Sequence, residues 1–243
     1  MKTVIIIPVR MASKRFPNKP LALINGVPMI QRVWQQAIKS KFGDVYVACA
    51  DREIYDLINS LGGTAIMTDP DLTSGTDRVY AALKKIKNYS SYESVINLQG
   101  DMPIINPKNI IKVNEPIYQG FDIGTLVTNI TKDEERNINI TKAKIKWLKK
   151  NKLGEALDFY KNSKNNIRDI YHHVGIYSFK IESLSKFVSI PPSLNELKFK
   201  LEQWRALDSS LSIGVSYVKN VPISVDTKED LISVESIIKT QND

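Results

Sequence analysis

The run TVIIIPV at residues 3–9 is the feature that most limits how this chain can fold, because it is short, continuous and almost wholly apolar. Such a run is typical of a strand buried on both faces of a parallel sheet. Helical and extended apolar patterns then alternate along the chain, at 28–41, 44–50, 54–61 and 64–67. Alternation of this kind is typical of strand, helix, strand units. We therefore predict an α/β fold built on a doubly wound, mainly parallel, Rossmann-like sheet.

From residue 142 the pattern changes. Lys142–Trp147 alternates polar and apolar residues strictly, and the alternation returns through Phe159 after a turn at 151–154. This pattern predicts an antiparallel hairpin with one solvent-exposed face and with Ala143, Ile145 and Trp147 pointing inward on the other. The length of 243 residues fits a single domain, 1–243. We predict that about 132–180 forms a smaller antiparallel lobe inserted in that domain.

Four cations follow the first strand without a carboxylate among them: Arg10, Lys14, Arg15 and Lys19. In open α/β sheets, ligands bind beyond the carboxyl ends of the strands, which is where this loop must lie. Pro17 and Pro20 restrict its backbone, so the loop is stiff. Arginine forks and lysine point charges together suit a triphosphate. We interpret the loop as a polyphosphate site, against the alternative of a solvated basic turn.

A second polar turn, Gln99-Gly100-Asp101, follows the strand predicted at 93–98. A carboxylate at the carboxyl end of a central strand, opposite a phosphate loop, is suited to hold Mg²⁺. Gly100 lets the backbone approach closely. The alternative is a turn aspartate that bonds its own backbone. We favour the metal role for Asp101.

A helix is predicted after the turn-rich stretch 68–76, with Ser74 or Thr76 as its cap. Arg78 lies in the first turn of that helix, where a cation opposes the helix dipole and needs an anion nearby. The alternative for Arg78 is a surface salt bridge.

Composition excludes some classes of protein. The chain has a single cysteine, Cys49, so it cannot form an internal disulfide. It also lacks the cluster of cysteines and histidines that would indicate a zinc site. No apolar stretch is long enough to span a membrane and no secretory signal precedes the first strand, so we expect a soluble, cytoplasmic protein. Most of the net charge of +8 lies at 142–168, a segment that contains nine Lys or Arg and two carboxylates. Stacking aromatics do not alternate with them, so a solvated face is favoured over nucleic-acid binding.

The N-terminal motif IPVRMASKRFPNKPL, followed by INGVPMI, resembles the signature loop of sugar nucleotidyltransferases. Within them it is most similar to the 3-deoxy-manno-octulosonate (Kdo) cytidylyltransferases of lipopolysaccharide assembly. Further similar motifs are SGTDR at 74–78, QGDMP at 99–103, YHHVGIY at 171–177, LEQWR at 201–205 and VDTKEDL at 225–231.

This resemblance implies transfer of CMP from CTP to the anomeric hydroxyl of Kdo, with Mg²⁺ as cofactor and pyrophosphate as product. It implies metal binding by Asp101 and Asp226, where Asp226 alone would read as a helix cap. The implied catalytic residues are Arg10, Lys19, Asp101 and Asp226. The implied nucleotide contacts are Arg10, Ser13, Arg15, Lys19, Ser74, Arg78 and Asp101. The implied sugar contacts are Gln99, Lys161, His173, Tyr177, Glu202 and Gln203. Similar enzymes pair as homodimers through the inserted lobe.

Two departures from the family pattern fall at the implied sugar site. The chain reads ALDFYK at 156–161 where the family reads ALYFSR, so Lys161 replaces an arginine that clamps the sugar carboxylate. Phe199 stands where the family carries a glutamate. A related acidic sugar, 8-amino-Kdo or a nonulosonate, is therefore an alternative substrate. A non-catalytic nucleotide or RNA binder is the alternative from a different class.

Overall fold

The computed structural model describes residues 1–12, 16–161, 169–220 and 223–242. Contacts within the chain define two compact units, Met1–Ile110 with Pro222–Asp243, and Ile111–Val221. The prediction of one domain with a lobe inserted over about 132–180 is not tested by this division and stays a prediction. None of the helices within the described ranges is long and apolar enough to cross a membrane.

Strands and helices mix throughout the described residues, which confirms an α/β fold. The strands are β1 Thr3–Val9, β2 Leu23–Ile24, β3 Val27–Pro28, β4 Asp44–Cys49, β5 Ala65–Met67, β6 Ser94–Asn97, β7 Ile123–Thr128, β8 Lys142–Lys149, β9 Leu153–Tyr160, β10 Ile170–Lys180 and β11 Ile213–Tyr217. The α-helices are α1 Met29–Ser40, α2 Arg52–Ser60, α3 Gly75–Leu83, α4 Pro107–Lys112, α5 Glu115–Tyr118, α6 Lys132–Arg136, α7 Ile181–Ser189, α8 Leu194–Phe199, α9 Gln203–Asp208 and α10 Lys228–Asn242.

The first unit contains a parallel arrangement in the order β5, β4, β1, β6. All seven residues of β1 are buried, as the apolar run predicts. Ile6 of β1 lies opposite Tyr46 of β4 and Asn97 of β6. Because parallel strands end at the same edge, the segments that follow β1 and β6 begin side by side. The cationic loop and the Asp101 turn are therefore brought to one edge by strand pairing.

The last helix of the chain packs against the N-terminal segment of the same unit. A cluster of buried side chains makes this contact: Phe16, Ile24, Met29, Val225 and Val234. The cluster removes apolar surface from water, which stabilises the packing of α10. It also fixes the chain just before Asp226. The predicted strand over 221–225 is wrong for its described part, because residues 223–225 are not in a strand.

The second unit is mostly antiparallel. β10 pairs antiparallel with β7 and β8, β11 pairs antiparallel with β9, and only β11 with β7 is parallel among its described pairings. The β8–β9 hairpin confirms the alternation predicted at 142–159, with Ala143 and Ile145 buried and Trp147 half-buried. The doubly wound, Rossmann-like arrangement of the whole chain stays a prediction.

Two predicted helices are each divided in the structure. The helix predicted at 107–118 becomes α4 and α5, because Pro116 lacks the N–H that a continuous helix needs and instead lies in the first turn of α5. The helix predicted at 196–207 becomes α8 and α9. Lys200 takes a left-handed conformation, with φ of 55°, and ends α8.

Lys142 departs from the solvated face predicted for the basic segment. Its side chain is fully buried, and Nζ donates to Asn137 O at 2.5 Å and Lys161 O at 2.7 Å. Burial lowers the pKa of Lys142. The alternation at 142–147 predicts that Lys142 faces solvent and Ala143 faces inward. In the structure both residues are buried, so the alternation does not predict the burial of Lys142.

Candidate active site

A cleft of about 730 Å³ lies in the first unit, where β1 and β6 end and α3 begins. This volume is in the range of small-molecule sites. The lining residues are Pro8, Val9, Arg10, Ala12, Lys19, Pro20, Leu72, Ser74, Gly75, Arg78, Gln99, Gly100 and Asp101. The structure thus brings together most of the residues predicted for the nucleotide. Ser13, Lys14 and Arg15 lie outside the described residues.

Two arginines face this cleft. Arg10 is exposed, whereas Arg78 is buried and 2% exposed. The Arg78 guanidinium donates to Thr68 Oγ1 at 2.5 Å and to Asp69 O at 3.1 Å, which is not the surface salt bridge considered as its alternative. Burial and the charge of Arg10 lower the pKa of Arg78. Two like charges held toward one cleft favour an anionic ligand.

Helix α3 presents its N-terminus to the same cleft. Ser74 Oγ accepts a hydrogen bond from Asp77 N at 3.1 Å, so Ser74 is the cap that the sequence predicts. Gly75 follows it, and a Cβ there would lie 3.4 Å from Pro8 Cγ. The partial positive charge at the start of this helix favours phosphate.

Lys19 joins the two carboxylates predicted to bind metal. Its Nζ lies 2.9 Å from Asp101 Oδ2 and 3.4 Å from Asp226 Oδ1. It also donates to Val225 O at 2.9 Å. The lysine side chain is 14% exposed. Residues 19, 101 and 226 are therefore within one ion-pair network, although they are far apart in the sequence.

Local hydrogen bonds explain why Asp226 lies here. Val225 N donates to Asp101 O at 2.8 Å, which ties the last segment to the Asp101 turn. Asp230 Oδ2 accepts from Asp226 N and from Thr227 N at 2.9 and 2.8 Å. Partial burial raises the pKa of Asp230, but these backbone donors outweigh it and the pKa is lowered overall. The cap of α10 is thus provided by Thr227 and Asp230, not by Asp226.

The oxygens at this position fit a hard divalent cation. Asp101, Asp226 and the carbonyl of Val225 all direct an oxygen to the same ammonium. Carboxylate and carbonyl oxygens are what Mg²⁺ selects, with water or phosphate completing the shell. No group of three or more acidic, histidine or cysteine ligands occurs among the described residues, so protein side chains alone do not make a closed metal cage.

The Gly100 turn fits closely against β1. A Cβ on Gly100 would lie 3.1 Å from Pro8 O, so a side chain there would force the turn outward. Gln99 Nε2 donates to Asn97 Oδ1 at 2.9 Å, which leaves its carbonyl oxygen near the start of α3. The close approach predicted for Gly100 is confirmed.

Several residues predicted for the sugar lie together in the second unit. Gln203 Nε2 donates to the Tyr177 hydroxyl, and the rings of His173 and Tyr177 are 5.5 Å apart. Burial and the charge of Glu202 raise the pKa of Tyr177. Gln203 Oε1 is buried without a hydrogen-bond partner among the described residues. This group can offer an acceptor to a polyhydroxylated ligand.

His173 and Lys161 differ in their surroundings. His173 is 6% exposed, and its Nε2 lies 3.0 Å from Thr125 Oγ1. Burial lowers the pKa of His173 to about 3, so the ring is neutral at physiological pH. Lys161 is exposed at the end of β9, and residues 162–168 beyond it lie outside the described residues.

Asp51 supports the cleft without having been predicted from the sequence. Its Oδ2 accepts a hydrogen bond from Met11 N at 2.8 Å, in the segment that follows β1. Asp51 comes just after β4, the strand beside β1. The rule that parallel strands end at one edge was sufficient to place it near the cationic loop.

A cationic cleft at the carboxyl edge of a parallel sheet, with converging carboxylates beside it, defines a nucleotide-binding α/β protein. A family model described as Cytidylyltransferase matches residues 4–213. The chain is 41% identical over 239 residues to the 3-deoxy-manno-octulosonate cytidylyltransferase of Paramagnetospirillum magneticum, with 97% of each chain covered. It is 43% identical over 230 residues to the enzyme of that name from Parvibaculum lavamentivorans, covering 93% of this chain and 89% of the other.

A solved structure of CMP:2-keto-3-deoxy-manno-octonic acid synthetase complexed with CTP is also similar. Its TM-score is 0.90 at 30% sequence identity, and the match covers 99% of this chain and 100% of that one. The chain therefore belongs to the family of 3-deoxy-manno-octulosonate cytidylyltransferases.

Proposed function

We propose that this chain transfers CMP from CTP to the anomeric hydroxyl of Kdo and releases pyrophosphate, a step that supplies lipopolysaccharide synthesis. The sugar oxygen forms a bond to the α-phosphorus, the bond from that phosphorus to the bridging oxygen of the β-phosphate breaks, and the hydroxyl proton is lost to solvent. The convergence of Asp101 and Asp226 on one ammonium, at the edge of a cleft lined by Arg10 and Arg78, carries the proposal.

The cations of the cleft bind and orient the triphosphate. Arg10 and Arg78 offer planar donors, and Lys19 offers a point charge at the same edge. The N-terminus of α3, capped by Ser74, adds backbone donors. Phosphoryl transfer depends chiefly on positioning and on charge stabilisation. These groups are placed to stabilise the charge that develops on the departing pyrophosphate.

We further propose that Mg²⁺ is the cofactor and that Asp101 and Asp226 hold it. When bound, the ion supplies charge neutralisation at the α-phosphate and at the attacking oxygen. The side chains of Asp101 and Asp226 are 27% and 42% exposed, so both remain accessible to a hydrated ion. Their charge is the protein's own contribution to the site.

The sugar acid is proposed to contact Gln99, Lys161, His173, Tyr177, Glu202 and Gln203. Gln203 Oε1 is buried and has no donor within the described ranges, which supports contact with a sugar hydroxyl because a buried acceptor without a donor is costly. Lys161 keeps a positive charge for a carboxylate but cannot make the bidentate contact of arginine. Together with Phe199, this favours a related acidic sugar, 8-amino-Kdo or a nonulosonate, as the second candidate substrate.

Pyrophosphate release with CTP, MgCl₂ and a panel of sugar acids tests the proposal. We expect release with Kdo, loss of release in EDTA, and a rate at least about 100-fold lower for Asp101→Asn, since one charge-stabilising group is removed from the reaction site. Asp56→Asn is the matched control, because Asp56 is an exposed aspartate of the same unit that pairs with Arg52. Undiminished activity of Asp101→Asn would remove the metal role.

That the enzyme is a homodimer is a further proposal from the resemblance. Within the predicted lobe, Leu148 of β8 and Leu157 of β9 are 59% and 46% exposed in the single chain, which supports burial against another molecule. Light scattering of the purified protein distinguishes a mass of 27.5 kDa from twice that value.

A further inference from the structure

Lys19 occupies the position at which the two metal-binding carboxylates converge. Its ammonium has three oxygen partners, Asp101 Oδ2, Asp226 Oδ1 and Val225 O. These are the same oxygens that fit a divalent cation. A lysine ammonium and a divalent ion compete for them, because two positive charges within a few ångströms of each other repel.

The ammonium also weakens the attraction of this position for metal. Two carboxylates without a cation carry two negative charges, and Lys19 offsets one of them. The lysine side chain is 14% exposed, so solvent screens this ion pair less than an exposed one. The Lys19 ammonium is therefore an internal counter-ion for Asp101 and Asp226.

A triphosphate in the cleft provides the competing partner for Lys19. Lys19 lines the cleft together with Arg10 and Arg78, on the side where the phosphates are proposed to bind. Its backbone is fixed in a short 3-10 helix, in which Lys19 N donates to Phe16 O and Lys19 O accepts from Ala22 N. The ammonium can thus turn from the carboxylates to the phosphates by side-chain rotation alone.

We propose that Lys19 keeps divalent metal out of the nucleotide-free site and releases the two carboxylates when a triphosphate binds. The inference rests on the proposed function and adds an order of binding to it. Nucleotide phosphate enters first, attracts the Lys19 ammonium, and so exposes the full charge of Asp101 and Asp226 to the metal that accompanies it. The Lys19 ammonium thus pairs with the carboxylates before the nucleotide binds and with the phosphates afterwards.

Mn²⁺ binding to the nucleotide-free protein, measured by electron paramagnetic resonance of the free ion, tests this role without any turnover. We expect weak binding to the wild type and binding about tenfold tighter or more in Lys19→Met, which removes one positive charge next to the carboxylates. Lys19→Gln is a second uncharged variant, and Lys19→Arg, which keeps the charge, should bind as weakly as the wild type. Lys85→Met is the matched control, because Lys85 is exposed and its Nζ bonds to the carbonyl of Met67.

The site of the added metal is checked by a double variant. Asp226→Asn in the Lys19→Met background should cancel the gain in Mn²⁺ affinity. Equilibrium dialysis of CTP in EDTA gives the second arm: wild type should retain CTP without metal, and Lys19→Met should retain less. Equal Mn²⁺ affinity in wild type and in folded Lys19→Met and Lys19→Gln would overturn the proposal.

The two failures are distinguishable. If Mn²⁺ binding follows the expected pattern while no sugar acid gives pyrophosphate, the proposed reaction is wrong and the counter-ion role stands. If pyrophosphate is released normally while the Mn²⁺ affinity is the same whatever residue occupies position 19, the counter-ion role alone is wrong.

Discussion

His173 shows how burial decides the chemistry of one residue. The ring contacts Phe159 edge to face at a centroid distance of 5.2 Å, and Nε2 lies 3.0 Å from the Thr125 hydroxyl. Burial lowers its pKa to about 3 against an ordinary value of 6.5. A neutral ring is suited to hydrogen bonding with a sugar hydroxyl and unsuited to acting as a cation.

This pKa predicts a loss of stability in mild acid. Between pH 6.5 and about 3 the unfolded chain protonates residue 173 while the folded chain does not, so the unfolded state binds more protons and stability falls as the pH falls. The slope for this residue is about 1.4 kcal/mol per pH unit once the pH is well below 6.5. Urea unfolding of wild type and His173→Gln at pH 7.5 and 5.5 measures the difference, which should be smaller in the variant.

The other histidine provides the control. His172 lies on the same strand as His173, and its Nδ1 is 3.0 Å from Oε1 of the partly buried Glu134 in α6. His172→Gln should keep the loss of stability that His173 causes. An acid-side slope that is unchanged in His173→Gln would show that His173 takes up its proton in the folded state.

At the scale of elements, α8 and α9 are joined by one buried ion pair. Arg205 Nε and Nη2 lie 2.7 and 2.6 Å from the two carboxylate oxygens of Glu196. The guanidinium also lies over the Phe187 ring, 4.7 Å from its centroid. Trp204 Nε1 donates to Phe159 O and anchors α9 to β9. These contacts hold Glu202 and Gln203 where the sugar is proposed to bind.

Arg205→Met is expected to destabilise the fold by about 3 kcal/mol or more, because it leaves the Glu196 carboxylate buried without its cation. Urea unfolding measures this loss. The double variant Arg205→Met with Glu196→Leu should recover most of it, since both charges are then replaced by apolar groups. Arg52→Met is the surface control, and the exposed pair that it breaks with Asp56 should change stability by less than about 1 kcal/mol. A small cost for Arg205→Met would show that solvent reaches the Glu196 carboxylate.

The boundaries of elements were the part of the fold least visible in the sequence. Apolar spacing predicts helices at 107–118 and 196–207, and most residues of both stretches are indeed helical. Pro116 was a readable signal for the first break. The second break has no such signal in the sequence. It occurs at Lys200, a residue type that does not itself indicate the left-handed conformation that Lys200 adopts between α8 and α9.

At the scale of the whole molecule, the first unit is closed by the end of the chain. Val225 and Val234 pack with Phe16, Ile24 and Met29, so the last helix completes the core beneath the N-terminal segment. The same packing fixes Asp226 beside Asp101, through the bond from Val225 N to Asp101 O. The packing that completes this core therefore also positions the two carboxylates of the proposed metal site.

Val234→Ala should lower the free energy of unfolding by about 2 kcal/mol, because it removes two buried methyl groups and leaves a small cavity. Urea unfolding measures the change. Ile232→Ala on the same helix is the control, since Ile232 is 60% exposed and its truncation should cost less than about 0.5 kcal/mol. Equal costs for the two variants would contradict the role of α10 in closing the core.

The sequence by itself determined the features that depend on neighbouring residues. The apolar run predicts β1, Ser74 predicts the cap of α3, and the clustered cations predict an anion site, because apolar content, capping and charge density are local properties. From the residues alone, Asp226 reads as a helix cap, and only the resemblance to a family assigns it to the metal.

Tertiary structure alone decided which distant groups meet. It brought Lys19, Asp101 and Asp226 into one network, buried Lys142 on two carbonyls, and paired Arg205 with Glu196. Lys142, for example, is predicted to be solvated from its own surroundings in the sequence. The energies of these charged groups depend on a partner supplied from elsewhere in the chain, and that partner is set by packing of the core.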